Sequence, residues 1–139
     1  MTTDFLYQFI EKQKYGVLST VSYENKPESA YVGYVVTLDL KLFIDTVSDS
    51  RKYRNLLLNS SISFVIVREN NITVQYEGIA KIPTDTDLDN YLAIYFDSFP
   101  EGKYRNENWN NIAYILIEPS WIRYSDFSKF TPLIEEIRF

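Results

Sequence analysis

The spacing of apolar positions along the chain predicts three helices. Residues 2–14 carry an apolar stripe at helical spacing, and Gly16 is a suitable end for that helix. Residues 88–99 carry a second, more aromatic stripe, which Pro100 brings to an end. Residues 53–58 carry a shorter stripe. Each of these segments has one apolar face to pack against another element.

Segments rich in β-branched and aromatic residues predict strands, most of them separated by short turns. They are residues 17–22, 29–37, 41–46, 62–68, 72–82, 112–117 and 121–124, with residues 133–139 as a further edge strand. Pro119 is expected to separate two of them, and residues 101–111 are predicted to form a polar loop. The pattern therefore predicts a mainly β fold of about six antiparallel strands, a small closed or nearly closed barrel with helices packed outside.

Length and composition indicate one globular domain over residues 1–139, with an apolar share of 45%. Aromatic residues are frequent, at 12 Tyr, 9 Phe and 2 Trp, whereas Gly occurs only 4 times. This composition suits broad β-surfaces together with a subunit interface or a flat ligand. Filling of the core and the sheet faces explains most of these rings equally well.

Charge and missing residue types exclude several classes of function. The net charge of −5 argues against general binding to nucleic acid or to an anionic membrane. The chain has no Cys and no His, which excludes disulfides, thiolate nucleophiles, Ser-His-Asp catalysis, histidine-ligated haem and the usual zinc sites. No apolar run reaches the ~18 residues of a membrane span, and no secretory signal is evident, so a cytoplasmic location is expected.

The run Asp45–Lys52 holds the strongest candidate chemistry. A strand-like segment leads into it and a helix-like segment follows, with Asp49 or Ser50 as the expected N-cap. Arg51 and Lys52 then fall in the first helical turn, where the macrodipole disfavours cations. A bound phosphate would reverse that cost, because it accepts hydrogen bonds from backbone N–H groups, hydroxyls and a guanidinium together. A solvated helix end with Asp49 nearby is the alternative interpretation.

A second charged cluster does not predict a metal site. Asp85, Asp87 and Asp89 alternate as in a calcium-binding loop, but Asn90 stands where the loop needs Gly and Phe96 where it needs Glu. Acidic residues in the first turn of a helix oppose the dipole favourably and explain the cluster better.

Segments in a fixed order resemble the pyridoxamine 5'-phosphate oxidase-like family, the FMN-binding split barrels, and its general-stress-protein-like members in particular. They are Gly16–Val21, Lys26–Val32, Leu42–Lys52 with Asn55-Leu56, Val74–Ala80 and Pro119–Tyr124. The segment from Thr46 to Ser50-Arg51-Lys52 is specific by itself, and the others gain weight from their order. The resemblance implies a single six-stranded antiparallel split barrel that binds FMN.

The resemblance also implies roles for particular residues. The phosphate of the flavin would be bound by Thr46, Ser50, Arg51 and Lys52. The ring would be lined by backbone at Tyr31, Val32 and Gly33, with Gln75 near the cofactor. A homodimer is implied, with each flavin between subunits and Trp121 or Trp109 supplied by the partner. For both Trp residues, a core or interface role remains the alternative.

Two departures from the family pattern bear on activity. Family members that make pyridoxal phosphate carry an Arg at the start of the second strand and an Arg-x-His signature near the C-terminus. Here Glu28-Ser29-Ala30 occupies the first place, and the second requires a His that the chain lacks. True pyridoxamine-phosphate oxidase activity is therefore not expected.

The sequence leaves the function open between two hypotheses. The first is a flavin-dependent oxidoreductase in which a small-molecule substrate or a nicotinamide stacks on the flavin and exchanges hydride. No catalytic residue is assigned. The second is a non-enzymatic protein that binds or stores a flavin or deazaflavin, or a stress-related binding protein, and a further variant has lost the cofactor. Fold alone does not choose between these hypotheses.

Overall fold

The computed structural model describes every residue from Met1 to Phe139. Its helices are α1 (Thr3–Gln13), α2 (Arg51–Leu58), α3 (Asp85–Ser98) and α4 (Glu101–Asn108). Its strands are β1 (Tyr15–Val21), β2 (Pro27–Gly33), β3 (Val35–Val36), β4 (Leu42–Val47), β5 (Ser61–Arg68), β6 (Ile72–Lys81), β7 (Ile112–Asp126) and β8 (Leu133–Arg138). None of the helices is both long and apolar enough to cross a lipid bilayer.

The strands form one curled antiparallel sheet in the order β2-β1-β5-β6-β7-β4-β3, with β8 paired to β7. The first half of β7 pairs with β4 and its second half with β8, so the long strand carries the sheet around a bend. β2 also lies beside β4 but forms no hydrogen-bond ladder with it. The predicted mainly β split barrel with flanking helices is confirmed.

The strand count is eight rather than six, for two physical reasons. The predicted strand 29–37 breaks after β2, because Tyr34 turns into the core and donates its hydroxyl to the Ile10 carbonyl at 2.6 Å. The short β3 follows this break. The tail forms β8, as expected of an edge strand.

The predicted break at Pro119 is wrong, because β7 runs through it without interruption. The irregularity is instead a bulge in β7, because Glu77 pairs with Trp121 and Gly78 pairs with Pro119, which leaves Ser120 without a partner in the register. A Cβ atom at Gly78 would meet the carbonyl oxygen of Glu118, so only glycine allows the two backbones to approach this closely.

The predicted polar loop over residues 101–111 is also wrong, since most of it forms α4. This helix has no apolar stripe and buries only Gly102, against the ring of Tyr95 on α3. Contacts with other elements stabilise α4, and the spacing of apolar residues in its sequence does not indicate such contacts.

Two apolar clusters lie on opposite sides of β4 and β7. The larger one fills the curled sheet and includes the fully buried rings of Tyr34 and Tyr76. The smaller one packs α3 against the outside of the sheet around Phe43. Helix α2 packs on β1 at one end of the larger cluster, which places the start of that helix beside the gap between β2 and β4.

Candidate functional site at the start of helix α2

The turn between β4 and α2 has the local structure that the sequence predicted. Thr46 is buried near the end of β4, and its Oγ1 lies 2.9 Å from Oγ of Ser50. Ser50 has extended backbone angles and accepts a hydrogen bond from the backbone N–H of Tyr53 at 3.2 Å. Ser50 is therefore the N-cap, and Asp49 instead accepts a hydrogen bond from the Asn111 amide. Arg51 and Lys52 occupy the first turn.

The electrostatics of this turn favour an anion. The first turn of α2 contains no acidic residue. Lys52 is half-buried and forms no ion pair with any carboxylate of the chain. Burial lowers the pKa of the Lys52 ammonium, and the charge of Asp45 only partly opposes that effect. A negative ligand beside Lys52 would offset the cost of holding this charge away from water.

One carboxylate of the chain already lies in this region. Glu28, near the start of β2, accepts a hydrogen bond from Nη1 of Arg51 at 3.1 Å and one from Nδ2 of Asn55 at 2.8 Å. Asn55 is buried on α2 and also donates to Oγ1 of Thr20 at 2.9 Å. Glu28, Asn55 and Thr20 thus form a polar network beside the two cations.

A small cleft of about 110 Å³ opens next to this network. It is lined by Leu18, Thr20, Glu28, Ser29, Ala30, Arg51 and Lys52. The cleft lies between the first turn of α2 and the strands β1 and β2, at the gap where the sheet does not close. Cations therefore line one wall, and a carboxylate lines the other.

The three predicted ring-lining residues lie on β2 and differ in exposure. Tyr31 is 72% exposed and stacks on Tyr15, with ring centroids 5.3 Å apart, whereas the side chain of Val32 points into the core. Gly33 has a packing role of its own, because a Cβ there would come within 2.8 Å of the Phe99 ring. The role of their backbone toward a flavin stays a prediction.

Gln75 and Trp121 lie elsewhere, along a groove of about 290 Å³ on the outer face of the sheet. The indole N–H of Trp121 is buried without an acceptor, and the guanidinium of Arg123 lies 5.1 Å from the centroid of the Trp121 ring.

This groove and the cleft beside α2 lie on opposite faces of β1. The groove is lined by Val17 and Ser19 of β1, whereas the cleft is lined by Leu18 and Thr20. Successive side chains of a strand point to opposite faces. Within one chain, the two groups of candidate residues therefore do not meet.

A charged cluster that the sequence analysis missed supports the site from behind. Asp45, next to Thr46 on β4, accepts hydrogen bonds from the Tyr95 hydroxyl at 2.8 Å and from Arg105 at 2.8 and 3.0 Å. Burial and the Asp45 charge raise the pKa of Tyr95, so its hydroxyl stays protonated as a donor. This cluster fixes the strand end that leads into the turn.

Glu28 and Asn55 were not among the predicted site residues, although the sequence holds a signal for each. Glu28 shares the alternation of Ala30 and Val32 on β2, which places its carboxylate on the inner face. Asn55 follows Arg51 by four positions, so the two side chains lie on one face of α2.

The sequence matches the model of the pyridoxamine 5'-phosphate oxidase family over residues 2–126. No match is found among curated proteins. General Stress Protein 26 from Bacillus anthracis is similar in structure, with 25% identity, a TM-score of 0.70 and 100% of each chain covered.

Two further solved structures share the fold. A heme binding protein from Mycobacterium smegmatis has 16% identity and a TM-score of 0.82, and the match covers 99% of this chain but only 58% of that protein. A pyridoxamine 5'-phosphate oxidase-related, FMN binding protein from Nostoc punctiforme has 10% identity and a TM-score of 0.70, with coverage of 99% and 92%. With the family model matched over nearly its whole length, the chain belongs to the pyridoxamine 5'-phosphate oxidase family.

Proposed function

We propose that this protein binds FMN, with the phosphate at the start of α2, and acts as a flavin-dependent oxidoreductase. The observation that carries the proposal is the cation-rich, hydroxyl-bearing first turn of α2 in a chain of this family. When bound, the flavin supplies the redox chemistry, and the residues of the chain hold and orient it.

The residues at this turn fit a phosphate group. Thr46 and Ser50 supply hydroxyls 2.9 Å apart, and the helix start supplies backbone N–H groups. Arg51 supplies a guanidinium, and Lys52 supplies an ammonium without an ion-pair partner. Glu28 is the one group in the cleft whose charge opposes a phosphate.

A homodimer with the flavin between subunits is part of the proposal. The outer face of β1, β2, β5 and β6 carries partly or largely exposed apolar and aromatic side chains, including the stacked pair of Tyr15 and Tyr31. Such a face suits a subunit interface. A second copy seated there would bring its Gln75 and Trp121 toward a ligand held by the first copy at α2.

Haem is a weaker candidate ligand than FMN. The structural similarity to a heme binding protein supports haem binding less strongly than the residues of the turn between β4 and α2 support FMN binding. At 16% identity that likeness shows the fold alone. The chain has no His, so a haem would need an axial ligand of another kind from it. The clustered hydroxyls and cations match a phosphate better than an iron.

The proposal is tested on the purified protein by its visible spectrum and by titration of FMN, followed through quenching of flavin fluorescence. We expect flavin absorption bands, either as purified or after addition of FMN, with one FMN per subunit. A colourless protein that takes up no added FMN would refute the proposal, and a Soret band after addition of hemin would then favour haem binding.

Turnover decides between the enzyme and the alternative of a non-enzymatic protein that binds or stores flavin. The FMN-loaded protein is mixed with NADH or NADPH, and the bleaching of the flavin is followed with and without an electron acceptor. We expect steady-state oxidation of the nicotinamide. Tight FMN binding without turnover over a panel of nicotinamides and acceptors would assign the binding or storage function, and a parallel titration with a deazaflavin tests cofactor choice.

A further inference from the structure

We propose that Glu28 is a specificity-determining residue of the α2 site, because its carboxylate competes with the phosphate of the ligand for the same donors. The proposal rests on the proposed function in taking FMN as the ligand. The carboxylate of Glu28, and not the two cations alone, then determines how much the phosphate of the ligand contributes to the binding free energy.

The geometry places Glu28 where it can have this effect. Its carboxylate is only 22% exposed and is held from two directions, by Arg51 at 3.1 Å and by Asn55 at 2.8 Å. Arg51 is 70% exposed, so its guanidinium reaches back from the surface toward β2. The guanidinium that a phosphate would engage therefore already has an anionic partner inside the chain.

The charges of the cleft show why the two anions interfere. Arg51 and Lys52 bring two positive charges and Glu28 brings one negative charge. A phosphate monoester carries about −1.5 to −2 at neutral pH. Two anions in so small a cleft repel each other at short range. The alternative is that Glu28 rotates away, which deprives the buried Asn55 amide of an acceptor.

Either route reduces the contribution of the phosphate to binding. Removing the charge of Glu28 should therefore tighten the binding of FMN, without an equal effect on riboflavin, which is the same ring and ribityl chain without the phosphate. The opposite role for Glu28 is to orient Arg51 for the phosphate. In that case the loss of its charge would weaken the binding of FMN.

The test compares the Kd values of FMN and riboflavin for the wild type, Glu28→Gln and Glu28→Ala. Glu28→Gln keeps the shape of the side chain and an acceptor for Asn55, and Glu28→Ala covers the case in which the Gln variant folds poorly. Asp39→Asn is the matched control. It also removes one negative charge, from an ion pair with Lys41 near the other end of β4.

We expect Glu28→Gln to tighten FMN binding by at least about tenfold and to change riboflavin binding by less than about twofold. Asp39→Asn should leave both values near those of the wild type. FMN affinity that is unchanged or weaker in both Glu28 variants would overturn the inference. An equal gain for FMN and riboflavin would also overturn it, since the effect would not then pass through the phosphate.

These outcomes separate this inference from the proposed function. If the wild type binds FMN and the Glu28 variants bind it no better, the inference fails and the proposed function stands. If the wild type binds no FMN but Glu28→Gln does, the inference stands and the natural chain is not an FMN protein. If no variant binds FMN, both fail.

Discussion

Arg105 donates two hydrogen bonds to Oδ2 of Asp45, at 3.0 Å from Nε and 2.8 Å from Nη2, across 60 residues of sequence. The other carboxylate oxygen accepts from the hydroxyl of Tyr95. One carboxylate therefore joins β4 to both α3 and α4. Since Thr46 follows directly, the cluster also fixes the strand end from which the candidate phosphate site begins.

Replacing Asp45 by Asn should lower the free energy of unfolding by about 2–4 kcal/mol, because it leaves a poorly exposed guanidinium without its counter-charge. Urea unfolding followed by tryptophan fluorescence measures the loss. The matched control is Glu118→Gln, which breaks a more exposed pair with Lys81 at 2.8 Å and should cost less than about 1 kcal/mol. Equal losses in the two variants would show that the Asp45 cluster has no special role.

This cluster shows which parts of the fold the sequence could and could not predict. Helix α1 and the cap of α2 depend on residues a few positions apart, so local patterns were sufficient to predict the helix and to restrict the cap to Asp49 or Ser50. Helix α4 depends on Arg105 reaching Asp45 and on Gly102 packing under Tyr95. Those partners are distant in sequence, and a polar segment without an apolar stripe gives no sign of them.

The sequence predicted only part of the candidate site, for the same reason. The turn from Thr46 to Lys52 is one continuous segment, and the sequence predicted the position of its cations and left only Asp49 or Ser50 as its cap. Glu28 and Arg51 are 23 residues apart in the sequence. They meet only because β2 lies beside β4 at the open edge of the barrel. Alternation along β2 shows that Glu28 faces inward, but it does not show which side chain it meets.

Replacing Lys52 by Met should separate ligand binding from stability. The variant removes the ammonium and keeps most of the apolar stem, so we expect FMN affinity to fall at least about tenfold. The pKa of Lys52 is lowered by burial, which means that the native state disfavours its charge. The ligand-free variant should therefore be as stable as the wild type or more stable.

Fluorescence titration of FMN and urea unfolding without ligand measure the two effects of Lys52→Met. Arg54→Met is the control, because Arg54 is exposed on the same helix and does not line the cleft. A loss of stability without a loss of FMN affinity would contradict the assignment of Lys52 to the phosphate.

The proposed dimer predicts that a charge on the outer sheet face abolishes self-association. Val65 lies on this face between Val17 and Gln75 of the neighbouring strands. Val65→Lys should shift the protein from dimer to monomer in sedimentation velocity and should weaken FMN binding, since the flavin is proposed to lie between subunits. Tyr104→Lys, on α4 and 65% exposed in the wild type, should leave the dimer intact. A wild type that is monomeric and binds FMN would refute the interface.

The bulge in β7 beside Pro119 predicts a strong effect of a small substitution on the opposite strand. Gly78→Ala would press a methyl group against the carbonyl of Glu118, which belongs to the backbone of a central strand and cannot rotate away. We expect a loss of about 2 kcal/mol or more in the free energy of unfolding. Gly33→Ala is the comparison, because its new methyl would meet the side chain of Phe99. If both variants lose equal stability, the backbone contact at the bulge is not the cause.

The buried tyrosines predict that stability falls in alkaline solution. Burial raises the pKa of Tyr76 far above its usual value, and burial together with the charge of Asp45 raises the pKa of Tyr114 to about 12. An unfolded tyrosine ionises near pH 10. Above that pH, the unfolded chain releases protons that the native chain retains, so the free energy of unfolding decreases as pH rises toward about 12.

Urea unfolding at a series of pH values between about 8 and 11 measures this slope, and tyrosinate absorbance reports the ionisation directly. Tyr76→Phe should make the slope shallower, because it removes one tyrosine that ionises only on unfolding. Tyr23→Phe is the control, since it also removes one tyrosine hydroxyl but from a ring that is 80% exposed. The same slope in wild type and Tyr76→Phe would mean that Tyr76 already ionises in the folded protein, with its hydroxyl no longer donating to the Leu40 carbonyl at 2.7 Å.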